Sequence, residues 1–117
     1  MEVYRRLARI RDVRRMDDFR QELRDRYGPL PEATEWLLRI GELRLLATRW
    51  QIASLHRDGV HIVLSYRNAT KIEQLAATSH HRLKVVDGKA AYFRLQPEED
   101  EPRILYPLLK KLFQGGN

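Results

Sequence analysis

Residues 52–66 read IASLHRDGVHIVLSY. In this stretch the spacing of the apolar residues changes from about 3.6 residues, which is typical of a helix, to two residues, which is typical of a strand. Two alternating segments flank Asp58-Gly59, a dipeptide typical of two-residue hairpin turns. With the turn centred on that dipeptide, His56 pairs with His61, and both histidines lie on one face. Four apolar residues share the opposite face: Ala53, Leu55, Ile62 and Leu64. Turn chemistry and burial agree, so we predict a β-hairpin here.

The residues before the hairpin show helical spacing. A short first helix covers about residues 2–10. Asp12 then caps a second helix that ends near Tyr27, because Gly28 favours the left-handed C′ conformation and Pro29 cannot continue a helix. The predicted apolar stripe of this second helix recurs at steps of three, four and four residues: Met16, Phe19, Leu23 and Tyr27.

A third helix begins at Pro31, where the missing N–H costs nothing, and continues to about Trp50. Its apolar residues cover more than one side, which is typical of a central helix. Gly41 lowers the stability of an exposed helix by about 1 kcal/mol relative to alanine, so we expect another element to approach closely there. Residues 1–50 are therefore predicted to form three antiparallel helices.

The residues after the first hairpin predict a helix, a second hairpin and a final helix. Asn68 can cap a helix near residues 70–78. The second hairpin is centred on Asp87-Gly88, with strands near residues 82–86 and 89–95. An acidic linker then leads into a last helix over about residues 103–113.

The register of the second hairpin stays open at this point. A two-residue turn leaves Phe93 and Leu95 on the polar face, so either both faces are partly covered or the turn is not the simple two-residue type. The predicted fold class is α+β: a three-helix N-terminal half (residues 1–50) packed on two β-hairpins with interleaved helices (residues 51–117), in the order ββαββα. We expect a single domain over residues 1–117, as a fragment of a larger multidomain protein.

The composition excludes several classes of protein. The 117 residues include 22 Lys+Arg, 16 Asp+Glu and no cysteine, giving a net charge of +6. Without cysteine there is no disulfide framework, thiolate zinc cluster or thiol nucleophile, which fits a reducing compartment. No apolar run approaches the roughly 20 residues of a membrane span, and the first residues are too charged for a signal peptide. We therefore expect a cytoplasmic protein with no membrane partner.

Catalytic and metal chemistry have little support in this sequence. His56 and His61 supply two ligands at most, whereas zinc needs three or four. Ser54 and Ser65 lack the context of a nucleophile elbow, and no glycine-rich loop is present to hold a phosphate. We expect no catalytic residue, no metal site and no cofactor in this chain.

An arginine-rich segment offers one alternative function. Six cations in eleven residues can contact several phosphates, and this predicts a DNA-binding accessory domain with salt-dependent affinity. Carboxylates lie close by, and no docking module for DNA is readable, so a solvated helical face is the competing interpretation. The six cations are Arg5, Arg6, Arg9, Arg11, Arg14 and Arg15.

Charged residues near the end of the second helix indicate a second kind of site. Glu22, Asp25 and Arg26 project from the last turn and a half at positions i, i+3 and i+4. Negative charge near a helix C-terminus is unfavourable against the helix dipole. These carboxylates therefore either pair locally, with Arg24 or Arg26, or await a cationic partner. The second case predicts a protein–protein contact through charge-assisted hydrogen bonds.

The sequence also resembles the C-terminal domain of the bacterial transcription-repair coupling factors (Mfd). The resemblance runs from about residue 3 to 66 and fades afterwards to a matching order of elements. Tyr27 stands where the family usually has phenylalanine, and Gln51 where it usually has glycine. The matching runs are YRRLA at residues 4–8, ELRDRYGPLP at residues 22–31, LL at residues 37–38 and LRLLA at residues 43–47.

This resemblance implies a part of a larger machine. The parent is then an ATP-driven DNA translocase, with ATP and magnesium in its motor domains, that binds RNA polymerase, double-stranded DNA and the repair protein UvrA. Its C-terminal domain folds back on the parent's N-terminal module and masks the UvrA-binding surface in transcription-coupled nucleotide excision repair. In the family, the residues matching Glu22, Asp25 and Arg26 belong to that intramolecular contact.

Overall fold

The computed structural model describes residues 2–114, apart from the side chains of residues 2 and 4. Within that range the chain forms five α-helices and one four-stranded antiparallel sheet, which confirms the α+β fold class. A 3₁₀-helix over Pro97–Asp100 stands where the sequence predicted a linker. The elements in chain order are α1 (Glu2–Arg9), α2 (Val13–Tyr27), α3 (Glu32–Arg49), β1 (Ile52–Asp58), β2 (His61–Tyr66), α4 (Ala69–Thr78), β3 (Leu83–Val85), β4 (Ala90–Arg94) and α5 (Pro102–Phe113).

The chain separates into two compact units, residues 1–45 and residues 46–117. The boundary lies within α3, a few residues before the change of period that the sequence shows after residue 50. A single domain over residues 1–117 stays a prediction, so each unit is described by itself.

The first unit is built around the buried side of α2. Asp12 caps this helix by accepting a hydrogen bond of 2.8 Å from the Arg15 N–H. At the other end, Gly28 has a φ of +75° and donates its N–H to the Arg24 carbonyl, as a C′ glycine does. The buried core consists of Met16, Phe19, Leu23 and Leu38, with Val3, Leu7, Ile10, Leu30 and Leu45 packed against it.

In this core, the prediction for Gly41 is correct and the prediction for Tyr27 is wrong. A Cβ added to Gly41 would lie 3.0 Å from the Met16 methyl and 3.1 Å from Leu7 Cδ1, so the expected close approach is confirmed. The apolar stripe predicted for α2 is wrong at its end, because Tyr27 is 66% exposed. The buried stripe stops one helical turn earlier, at Leu23.

The first hairpin of the second unit has a different register from the predicted one. Asp58 pairs with His61, and His56 pairs with Val63. The two histidines are therefore not directly opposite each other, and that prediction is wrong. Gly59 is the first loop residue, with a φ of +60°, as in a type II′ turn. Since the register of this hairpin differs by an even number of residues, Leu55, Ile62 and Leu64 keep their predicted face. The prediction for Ala53 is wrong, because an irregularity between Ile52 and Ser54 buries Ile52 instead and leaves Ala53 exposed.

The second hairpin has a connection longer than two residues. Leu83 pairs with Phe93 and Val85 with Ala91, which places all four on one face. The Asp87 carboxylate accepts the N–H groups of Lys89 and Ala90 and so shapes the loop. The longer turn resolves the register that the sequence left open.

The strands lie in the order β1-β2-β4-β3. One face of the sheet is apolar and buried, through Ile62, Leu64, Leu83, Ala91 and Phe93. The helices α4 and α5 supply the matching buried side chains: Ile72, Leu75, Leu109, Leu112 and Phe113. Both helices therefore cover the same face, and the opposite face carries the exposed side chains of His56, Lys84 and Arg94.

Candidate protein-interaction site

The structure brings the three predicted partner-binding residues to one surface of α2. Asp18, Gln21, Glu22, Asp25 and Arg26 together line a shallow, open depression on this helix. The helical spacing of three and four residues produces this clustering, because such residues lie on one side of a helix.

Glu22 is held by a partner that the sequence did not indicate. The Arg6 guanidinium, on α1, donates from both terminal nitrogens to the two carboxylate oxygens, with Nη2 2.9 Å from Oε1. The same guanidinium lies 4.7 Å from the centroid of the Phe19 ring. These hydrogen bonds hold the pKa of the Glu22 carboxyl below its ordinary value of 4.5. Glu22 is thus an ionised carboxylate that joins α1 to α2.

Asp25 and Arg26 keep most of their hydrogen-bonding capacity for another molecule. Asp25 accepts one hydrogen bond of 3.0 Å, from the Gln21 side chain. Arg26 forms no salt bridge among residues 2–114, although its charge, after the hydrogen bond and charge of Arg6, also lowers the pKa of the Glu22 carboxyl. Arg24 differs, because its guanidinium is 3.0 Å from Glu35 on α3. Arg24 therefore pairs with the next helix rather than with the carboxylates at the end of α2.

Tyr27 is a further member of this surface, although the apolar spacing of α2 predicts it to lie in the core. Its ring is largely exposed, and the Arg26 guanidinium lies 5.9 Å from the ring centroid. Exposed tyrosine and arginine side chains are the types that most often anchor protein interfaces. Its position as the last helical residue, directly before the turn at Gly28, was the signal available in the sequence.

The arginine-rich segment is divided among several local contacts. Arg6 binds Glu22, Arg15 lies 3.5 Å from the Asp12 carboxylate, and Arg11 donates to the Ala8 carbonyl. The remaining members, Arg5, Arg9 and Arg14, are exposed. Half of the cations that a DNA-binding surface would use are therefore engaged within the chain.

Neither a metal site nor a membrane span emerges from the part of the chain that the structure describes. In residues 2–114, no group of three or more His, Asp or Glu side chains is placed to hold a metal ion. Across the same residues, no helix combines the length and apolar character needed to cross a bilayer.

The chain is similar to a known protein family. A family model described as the TRCF domain matches residues 1–76, which span α1 through most of α4. The chain belongs to the TRCF domain family. The match covers the α2–α3 connection, where the sequence motifs of the resemblance are concentrated, and it ends before β3.

A curated relative agrees with this family. The transcription-repair-coupling factor of Rickettsia bellii (strain RML369-C) is 28% identical to the chain over 97 residues, which is 82% of the chain. The chain spans only 8% of the length of that relative. The resemblance to the C-terminal domain of these coupling factors is thereby confirmed.

A solved structure supports the fold of this TRCF domain over nearly its whole length. The crystal structure of the C-terminal domain of a transcription-repair coupling factor superposes with a TM-score of 0.75. The alignment covers 97% of this chain and 76% of that chain, at 17% sequence identity. The same architecture therefore continues through residues 77–114, where the family model does not reach.

Proposed function

We propose that this TRCF domain is a non-catalytic, autoinhibitory interaction domain of a transcription-repair coupling factor. It folds back on the N-terminal module of the same parent and masks the surface that binds UvrA. The parent is an ATP-driven, cytoplasmic DNA translocase that also binds RNA polymerase and double-stranded DNA, and its motor domains hold ATP and magnesium. The domain itself uses no cofactor.

The observation that carries this proposal is the exposed run of Asp25, Arg26 and Tyr27 at the end of α2. Asp25 offers acceptors to an arginine or lysine of the partner, and Arg26 offers a planar set of donors to a carboxylate. Tyr27 supplies apolar area beside both charges. A partner surface with the complementary order of charges around an apolar pocket fits this arrangement.

Glu22 contributes to the same contact from a fixed position. A carboxylate has about four lone-pair sites, so Glu22 can keep its two hydrogen bonds to Arg6 and still accept a bond from the partner. Because Arg6 holds the carboxylate in place, little side-chain entropy is lost when the partner binds.

The contact must also be weak enough to open. A ligand moves an equilibrium from 1:99 to 99:1 only if it favours one state by about 5.5 kcal/mol, so a clamp worth a few kcal/mol can be released by an ATP-driven rearrangement. A small patch of mixed charge with one aromatic anchor suits that range better than a large apolar interface.

The proposal is tested in the parent protein with Asp25→Ala and Arg26→Ala together, which leave the Arg6–Glu22 pair intact. We expect the double variant to show a higher basal ATPase rate and a tighter affinity for UvrA. The matched control replaces two exposed carboxylates of the other unit, Glu73→Ala and Glu98→Ala, and should behave as the wild type. Unchanged ATPase and UvrA affinity in the double variant would exclude this surface as the clamp.

A further inference from the structure

We call the face of the sheet opposite α4 and α5 the open sheet face. Its side chains include His56, His61, Lys84, Tyr92 and Arg94. We propose that this open sheet face binds single-stranded nucleic acid. It lies within residues 46–117, whereas Asp25 and Arg26 lie in the other unit, so this inference does not depend on the proposed clamp.

The strand register places these side chains together. His56 pairs with Val63, Val63 pairs with Tyr92, and Tyr92 pairs with Lys84, so one row crosses all four strands. In the neighbouring row, His61 pairs with Asp58 on one side and with Arg94 on the other, so this face also carries one carboxylate. Directly paired residues point to the same side of a sheet, and the apolar residues on the alternate positions point to the helices.

Two rings occupy the centre of the open sheet face. The centroids of the His61 and Tyr92 rings are 5.4 Å apart, and their planes meet at 65° in an edge-to-face contact. Both rings are half-buried, and Val63 beside them is only 4% exposed. The rings are thus held in place by packing while keeping exposed surface on which a base can stack.

Cations without a carboxylate partner flank these rings. Lys84 and Arg94 are exposed, and neither forms an ion pair within residues 2–114. Of the four acidic residues 98–101, Glu99 binds Arg82 and Asp100 binds Arg57. In the described part of the chain, the other two form no ion pair with Lys84 or Arg94. Lysine and arginine also outnumber the acidic residues in residues 46–117. The face therefore combines stacking surface with two cations that form no ion pair, and its one carboxylate in these rows, Asp58, lies at the β1 edge.

This combination favours a single strand over other anionic partners. Bases stack on aromatic side chains at a gain of about 1–3 kcal/mol per base, while neighbouring cations bind the phosphates. In a duplex the bases are stacked on one another, so their faces cannot stack on the rings of His61 and Tyr92. An acidic peptide would pair with Lys84 and Arg94 but would gain little from the ring of Tyr92.

The test is a fluorescence-anisotropy titration of a labelled 15-residue oligo(dT) with the whole chain at two salt concentrations. We expect binding that weakens as salt rises, and a loss of affinity of about fivefold or more in Tyr92→Ala, since stacking of one base is worth at least about 1 kcal/mol. Tyr92→Phe keeps the ring and should retain binding. Lys84→Ala should weaken binding and reduce the salt dependence.

The control variants separate this surface from the arginine-rich segment. Arg14→Ala removes an exposed cation of the other unit and should leave binding unchanged. The proposal is overturned if Tyr92→Ala binds as the wild type does, or if Arg14→Ala loses more affinity than Lys84→Ala. Equal affinity for the matching duplex, or for a poly-glutamate peptide, would likewise overturn it. Failure of the clamp variants in the parent protein would not affect any of these results.

Discussion

At the scale of single residues, the end of α3 stores conformational strain. Gln51 has a φ of +55°, in the left-handed region that glycine adopts without cost. Its carbonyl accepts the Arg67 N–H at 3.0 Å, and its own N–H donates to the Thr48 carbonyl, so the conformation is held by backbone hydrogen bonds on both sides. A glycine-type end to α3 therefore forms even though the residue is glutamine.

Replacing this glutamine by glycine should stabilise the chain. We expect Gln51→Gly to raise the free energy of unfolding by about 1 kcal/mol, because a left-handed non-glycine residue costs roughly that much. Gln74→Gly makes the same chemical change at an exposed position inside α4 and should lower it by about 1 kcal/mol. Urea denaturation of both variants measures the effect. A loss of stability in Gln51→Gly would show that φ at this position carries no strain.

The ion pair of Arg6 with Glu22 makes stability depend on pH. Because the pKa of Glu22 is lowered in the folded state, its contribution is fully present above about pH 4.5 and is lost as the pH falls through the folded-state value. Glu22→Gln should therefore be less stable than the wild type at pH 7, and the difference should shrink as the pH falls through the lowered pKa of Glu22.

Urea midpoints followed by circular dichroism from pH 7 to pH 3 test this expectation. Glu73→Gln changes an exposed carboxylate of α4 and serves as the control, with a midpoint close to that of the wild type at every pH. If Glu22→Gln differed from the wild type equally at pH 3 and pH 7, its effect would not come from ionisation.

At the scale of secondary-structure elements, the sequence predicted the helix ends correctly but predicted the wrong register for the first hairpin. The caps at Asp12 and Asn68 and the glycine at position 28 act as their residue types predict, since each interaction involves only neighbours in the chain. The first hairpin differs because Asp58-Gly59 and Gly59-Val60 are both acceptable two-residue turns, and both keep the apolar residues on one face. Choosing between them requires the contacts of β2 with β4, which no local pattern contains.

The packing of α1 against α3 depends on the absence of a side chain at Gly41. We expect Gly41→Val to destabilise the chain by about 1–3 kcal/mol, because the new methyl groups overlap Met16 and Leu7 in a packed core. Gly88→Val introduces the same side chain in a loop where a Cβ would meet nothing within 4 Å, and should change stability little. Equal urea midpoints for the two variants would contradict the close approach of these helices.

At the scale of the whole molecule, the chain combines surfaces of different chemistry. The net charge of +6 suggested a single anionic partner. Instead, many arginine side chains form ion pairs with carboxylates of the same chain. The exposed end of α2 carries both a negative and a positive charge, at Asp25 and Arg26. The candidate site was predicted in part: helix periodicity located Glu22, Asp25 and Arg26, but Arg6 and Tyr27 were missed. Pairing between helices and the exposure of a terminal aromatic residue are tertiary properties that periodicity does not contain.

The most direct measurement is a calorimetric titration of this chain with the separately purified N-terminal module of its parent. The wild type should bind, and Asp25→Ala with Arg26→Ala should weaken binding by about tenfold or more, as truncation of central interface residues does. Tyr27→Ala should weaken it as well, while Arg14→Ala, an exposed change in the same unit, should not. Absence of binding by the wild type, or wild-type affinity in the Asp25→Ala, Arg26→Ala variant, would contradict the proposed clamp.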